Sequence, residues 1–224
     1  EKMRIFAEIE KEIDYIRSKA QDFDKNDIIK RYEVHPVINC PDVDTAERMN
    51  DGVSRITAVG DSSGGVVEVV ATGLPAGLGE PVFHKLDADL GTMLGIAAIK
   101  GVEIGAGFQV KNMTGYEVND RMRAENGKVV FDSNNAGGIT GGLTTGQPIV
   151  VRLAVKPTPT IAIKQNTVDK YTLENKELSA ITRRDPTIVN RIWPVAENMT
   201  ALILLDNLFA HYGYQKISEA ARTV

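Results

Sequence analysis

The sequence predicts an α+β layered fold, with apolar helices in the interior and strands covering them. Two observations point there. Segments 83–99 and 195–210 are apolar over most or all of a helical circumference, so each belongs inside the molecule. Between them lie short runs rich in Val and Ile, separated by turns rich in Gly, Asn and Pro. With 224 residues, 42% of them hydrophobic and 25% charged, the chain can bury a sizeable core. No short-period repeat, low-complexity tract or linker divides it, so one domain over 1–224 is expected.

Taken in order, the first element is a surface helix over 3–20, where Ile5, Phe6, Ile9, Ile13 and Ile16 share a face opposite Glu and Lys. The chain opens at Glu1, almost inside that helix and without a capping residue, which suggests a sequence that begins after a cut. A short strand over 33–40 follows, then a helix that Asp42 or Asp44 can cap and that runs to about Val59. A turn over 60–65 leads into a Val-rich strand at 66–71, which ends at Gly73 and Pro75. In the helix over 83–99, Leu86, Leu90, Met93 and Leu94 broaden into an all-apolar end, and Gly91 and Gly95 admit another backbone. Further strands are expected at 101–108, 128–131, 147–155 and 169–173. The second buried helix carries Met199, Leu202, Ile203, Leu204, Leu205, Leu208 and Phe209.

Composition narrows the function. A formal charge of -4 offers no general attraction for nucleic acid or anionic lipid, so any bound anion needs a local cluster of Arg and Lys. Cys40 stands alone, which rules out an internal disulfide, a redox pair and a cysteine-built zinc site, and fits a reducing cytoplasm. No apolar run reaches membrane-spanning length. His35, His84 and His211 share no metal-ligand spacing, and no Gly-X-Ser-X-Gly elbow exists.

Five segments could carry chemistry. The Gly-rich stretch Asp132-Ser-Asn-Asn-Ala-Gly-Gly-Ile-Thr-Gly-Gly-Leu-Thr-Thr-Gly146 could present bare N–H groups to phosphate, although on pattern alone an elaborate hairpin accounts for it better. Lys156-Pro-Thr-Pro-Thr160 combines an ammonium, two hydroxyls and two prolines that hold the backbone open, which suits a phosphate or a flavin ring edge; an edge strand ending in prolines reads the same way. Arg183-Arg184-Asp185-Pro186, with Arg191 beyond, could bind a phosphorylated acid while Asp185 orients or moves a proton, or could be a surface ion-pair cluster. The crowded turns at 75–83 and 100–108, with Glu80 and Glu103, read as structural.

In this order, the motifs resemble the chorismate synthase family. They are Cys40-Pro-Asp42, Gly60-Asp-Ser-Ser-Gly-Gly65, Gly77-Leu-Gly-Glu-Pro-Val-Phe83, Lys100-Gly-Val-Glu-Ile-Gly-Ala-Gly-Phe108, Asn135-Ala-Gly-Gly-Ile139, Gly141-Gly142, Lys156-Pro-Thr-Pro-Thr160 and Arg183-Arg-Asp-Pro186. The match runs from about Asn39 to about His211, and its specificity lies in ordered co-occurrence. That order outweighs the plain readings of the single segments.

The resemblance implies a β-α-β sandwich, with central buried helices covered by antiparallel sheets, assembled as a homotetramer. It implies a carbon–oxygen lyase of aromatic amino acid biosynthesis that turns 5-enolpyruvylshikimate 3-phosphate into chorismate and phosphate by anti-1,4-elimination. Reduced flavin mononucleotide is the implied cofactor, with NADPH associated as reductant, and no nucleic acid or membrane partner is implied. Carried over by position, Ala97, Ala98, Gly141, Lys156, Pro157, Thr158, Pro159, Thr160 and Arg183 are the expected flavin contacts, and Arg183 and Asp185 the catalytic residues. The family's usual Asn is Ala97 here, which removes a side-chain hydrogen bond, and Arg184 puts a permanent cation where the family has His. The family's amino-terminal segment, with its two acid His residues, has no counterpart in the sequence, so the chain alone is expected not to complete the reaction. A non-catalytic flavin-binding or assembly module is the alternative.

Overall fold

A computed structural model describes residues 39–179 and 185–213. The helix expected over 3–20, most of the strand expected over 33–40, and Arg183 and Arg184 lie outside the described residues. The chain falls into two compact units, Glu1–Arg55 and Ile56–Val224.

Described residues of the first unit form most of α1 (Val43–Ala58), which begins where expected because the Asp42 carboxylate accepts the Thr45 N–H at 2.7 Å. In the second unit come β1 (Gly65–Ala71), α2 (Leu86–Gly91), β2 (Ile99–Ile104), α3 (Gly115–Val118), β3 (Met122–Glu125) and β4 (Lys128–Phe131). They are followed by β5 (Ile139–Thr140), β6 (Leu143–Thr144), β7 (Ile149–Val155), β8 (Gln165–Val168), β9 (Asn175–Leu178) and α4 (Val189–Tyr212). Helices and antiparallel sheets are thus combined as an α+β fold.

The central sheet is three-stranded and antiparallel, in the order β1-β7-β2, with Val67 opposite Leu153 and Leu153 opposite Val102. Alternation along β7 buries Ile149, Val151, Leu153 and Val155 on one face. On the other face Arg152 lies between Glu68 and Glu103, at 3.7 Å and 3.5 Å. Over the buried face pack Leu86, Leu90 and Met93, together with Ile192, Ala196 and Leu204 of α4. The buried positions of α4 follow a row of every fourth residue, Ile192, Ala196, Thr200 and Leu204, continued by Asn207 three residues on, while Leu202 stays 57% exposed. This helix is therefore longer than expected and buried along one side only; Pro194 sits inside it, near its start.

Three other expectations need correction. The helix over 83–99 shrinks to α2 and a 3₁₀ turn, Thr92–Gly95, because Gly91 and Gly95 weaken helical continuation and β7 captures the chain from Ile99 onward. The strand over 101–108 starts at Ile99 and stops at Ile104, where Glu103 accepts the Phe108 N–H at 3.1 Å and sets a 3₁₀ segment, Gly107–Asn112. Residues 169–173 are not a strand but the turn joining β8 to β9. There the Asp169 carboxylate accepts N–H groups of Tyr171 and Thr172, and the Lys176 ammonium together with those N–H groups holds its pKa down at about 2. The strands over 66–71, 128–131 and 147–155 form within one or two residues of their expected bounds. A partner for the strand over 128–131 was not legible: β3 pairs with it across Asn126 and Gly127, both with positive φ, as a tight hairpin requires.

Candidate functional site

β7 ends at Val155, paired with Ile99 of β2, and the next N–H, that of Lys156, donates to the Ala98 carbonyl at 2.9 Å. Ala98 itself has a φ of 71°, so the chain turns there into β2. Pro157 and Pro159 have no N–H, and they keep residues 156–160 from extending the sheet. The segment instead meets the turn over 60–65.

That turn is a clip. The Ser62 hydroxyl donates to the Thr158 carbonyl at 2.7 Å, and the next residue, Ser63, donates its N–H to the Pro186 carbonyl at 2.8 Å. Two segments far apart in sequence, 156–160 and 185–187, are thereby fastened to consecutive residues. Gly64 makes the approach possible, since a Cβ there would lie 2.3 Å from the Val155 carbonyl oxygen and 3.1 Å from Pro157 Cδ. Asp185 sits beside the clip and accepts from Arg191 Nη2 at 3.0 Å through Oδ1. The Lys156 side chain is exposed, and the Thr158 hydroxyl is buried without a hydrogen-bond partner among the described residues. An ammonium, an unsatisfied hydroxyl and a guanidinium-held carboxylate around one end of β7 suit a polar, anionic ligand.

Of the expected site residues, Ala97, Ala98, 156–160 and Asp185 therefore belong to one end of the sheet; Ala97 is exposed there. Arg183 lies outside the described residues. Gly141 is elsewhere. It sits in the turn between β5 and β6, and its neighbour Gly142 accepts the Leu86 N–H at 3.0 Å. The loop before it packs on Ile149, the far end of β7, and a strand of that length spans roughly 20 Å. Gly141 thus goes with the Ile149 end of β7, whereas Thr158 follows its Val155 end.

Two features were missed by sequence reasoning. The turn over 60–65 was read as a turn and as one of the family motifs but was given no site role, although its paired serines between glycines were the available signal. Asp120, with no local pattern to mark it, is the latch of the Gly-rich loop: Oδ1 accepts from the Ser133 hydroxyl and the Asn135 N–H, each at 2.6 Å, and Oδ2 from the Ala136 N–H at 2.8 Å. Burial works to raise its pKa, but those three bonds outweigh it and hold the carboxyl below its ordinary range.

Comparisons with known proteins agree on one family. The family model described as chorismate synthase matches residues 4–209. The chorismate synthase of Methanosarcina barkeri is 49% identical over 198 residues, covering 88% of this chain and 53% of that protein. That of Acetivibrio thermocellus is 52% identical over 184 residues, 81% of this chain and 47% of that protein. A crystal structure of chorismate synthase superposes with a TM-score of 0.64 at 33% identity, over 79% of this chain and 46% of that one. The chain spans about half the length of the curated relatives it matches.

Proposed function

The chain belongs to the chorismate synthase family, and from that premise we propose that it forms the flavin-holding part of an enzyme converting 5-enolpyruvylshikimate 3-phosphate to chorismate and phosphate. The proposal includes a single domain over 1–224 within a β-α-β sandwich, a homotetramer, and a cytoplasmic setting. Among the described residues no helix is long and apolar enough to cross a membrane.

The observation that carries the reading is the buried hydroxyl of Thr158, which has no hydrogen-bond partner among the described residues. A buried hydroxyl without a partner is costly, so a site that keeps one is shaped for something that supplies the missing bond. Reduced flavin mononucleotide fits: its ring edge and phosphate offer hydrogen-bonding groups and negative charge, matching the Thr158 hydroxyl and the Lys156 ammonium. When bound, it supplies electron density to the elimination and ends the cycle reduced. Residues of this chain do the rest. Lys156 neutralises the anion, Pro157 and Pro159 keep the segment free of sheet pairing, and Ala97 and Ala98 offer backbone and small surfaces for close contact. Arg183 is assigned to flavin and substrate binding by the family resemblance alone. Asp185, oriented through Oδ1 by Arg191, keeps Oδ2 as the atom that accepts a proton. Gly141, at the far end of β7, reaches a flavin only as a contact from a neighbouring copy, which is why the homotetramer is part of the proposal. Protonation of the departing phosphate is left to residues in the part of the relatives that this chain does not span.

The direct test mixes a polypeptide of the relatives' full length carrying this chain, under anaerobic conditions, with reduced flavin and the enolpyruvyl substrate. Phosphate and chorismate should appear in equal amounts. Catalytic turnover without added flavin, or no phosphate from a folded protein, would contradict the proposal.

A further inference from the structure

Segment 156–160 has few ways to hold itself in place. Pro157 and Pro159 carry no N–H, and the Lys156 N–H already donates to the Ala98 carbonyl at 2.9 Å. Among the described residues, the next hydrogen-bonded N–H is that of Ala162, which reaches the Gly60 carbonyl at 2.8 Å. Thr158 lies between these two anchors. The proline after it restricts Thr158 to extended conformations without choosing among them. What remains open is the tilt of the peptide plane between Thr158 and Pro159, and the Ser62 hydroxyl fixes it by donating to the Thr158 carbonyl at 2.7 Å.

The donor is itself held. The Ser62 N–H donates to Asp61 Oδ1 at 2.8 Å, the Asp61 N–H to the Ile56 carbonyl at 3.1 Å, and the Gly60 N–H to the Thr57 carbonyl at 3.0 Å. Ser63 reaches Pro186 through its main-chain N–H, so among the described residues only Ser62 of the pair fastens a segment with its side chain. From the Thr158 carbonyl to its hydroxyl the path is short and stiff. Thr is branched at Cβ and has few rotamers, so once its peptide plane is set, Oγ1 has few places to be. That oxygen is buried and has no hydrogen-bond partner among the described residues. A hydroxyl aimed by its surroundings and left unmet costs free energy until a ligand bonds to it.

We propose that Ser62 is a positioning residue for flavin. Its hydroxyl holds the Thr158 carbonyl and so sets the Thr158 hydroxyl where the cofactor meets it, while Ser62 itself touches no flavin atom. The inference rests on the flavin reading above and deepens it, since part of the affinity then depends on a side chain 96 residues before Thr158 in the sequence.

The test is a double-substitution cycle, read by anaerobic titration of reduced flavin mononucleotide into a polypeptide of the relatives' full length carrying this chain. Thr158→Val and Ser62→Ala should each weaken binding by about 3–10-fold, the value of one hydrogen bond. Together they should weaken it by no more than about twofold beyond Thr158→Val alone, because the group that Ser62 sets is then gone. A bond that merely stiffened the segment would also place the Lys156 ammonium, and the two losses would multiply. Ser62→Cys keeps the size with a weaker donor and should fall between alanine and the parent; it takes the place of Ser62→Ala in the cycle if circular dichroism shows the alanine variant unfolded. Unchanged affinity in Thr158→Val would overturn the flavin reading itself. Weakened binding in Thr158→Val with the Ser62 variant unchanged, or losses that multiply, would overturn the positioning role alone.

Discussion

Replacing Asp185 by Asn should lower turnover of a full-length polypeptide carrying this chain by about 10²–10⁴-fold, the range that a positioned proton acceptor contributes. Asn keeps the shape and an oxygen for Arg191 but offers no carboxylate to take a proton. Structure should be little affected, because the Asp185–Arg191 pair is 42% and 72% exposed, and pairs of that kind contribute roughly 0–1 kcal/mol. Flavin affinity should stay within about twofold, since the proposed flavin-holding groups are the Lys156 ammonium and the Thr158 hydroxyl; a tenfold change in affinity is about 1.4 kcal/mol. Single-turnover kinetics separate these effects: a slow chemical step after normal flavin binding is the expected result. Unchanged turnover would remove Asp185 from the chemistry.

Gly105→Ala should be the most damaging small substitution. Gly105 has a φ of +57°, and a Cβ there would lie 2.1 Å from the Asn135 carbonyl oxygen, 2.4 Å from the Gly137 nitrogen and 2.7 Å from the Ala136 carbonyl carbon. All three are backbone atoms, so no side chain can swing aside. They also belong to the stretch that Asp120 latches, and Gly105 donates its own N–H to the Val150 carbonyl at 3.0 Å. Left-handed backbone costs a non-glycine residue about 1–3 kcal/mol, and displacing the latched loop adds to that, for a loss of at least ~4 kcal/mol. In a domain of this size, about 1 kcal/mol corresponds to ~2–4 °C. A fall of about eight degrees or more in the melting temperature is the expected outcome, and a fall of under about three would show that the loop yields.

How much of this was legible in the sequence depends on how local the determining interaction is. α1 starts at Val43 because Asp42 caps it, and β1 and β4 follow Val-rich runs; each rests on neighbours within a few residues. The segment over 83–99 was misread because its apolar pattern is shared between a short helix and a strand, and only pairing with β7, some fifty residues later, decides where one ends. Residues 169–173 were read as a strand from composition, whereas the Asp169 side chain bonds its own following N–H groups and makes a turn. The apolar circumference of α4 was legible, yet not which side is covered. The family resemblance named the expected site residues but not their placement. That Ala98, 156–160 and Asp185 come together depends on Ser62 and Ser63, and that Gly141 sits at the other end depends on β7 running between them.

The central claim is that the Thr158 hydroxyl waits for a bond from flavin, and one comparison tests it most directly. Reduced flavin mononucleotide is titrated anaerobically into a full-length polypeptide carrying this chain and into its Thr158→Val counterpart, with melting temperatures measured in the absence of flavin. Val matches Thr in shape and removes a buried hydroxyl that has no partner among the described residues, so the flavin-free variant should be as stable as the parent or more so. Its affinity for reduced flavin should nevertheless fall by about 3–10-fold, the value of one hydrogen bond. Equal affinity in the two proteins, with both folded and saturable, would contradict the account.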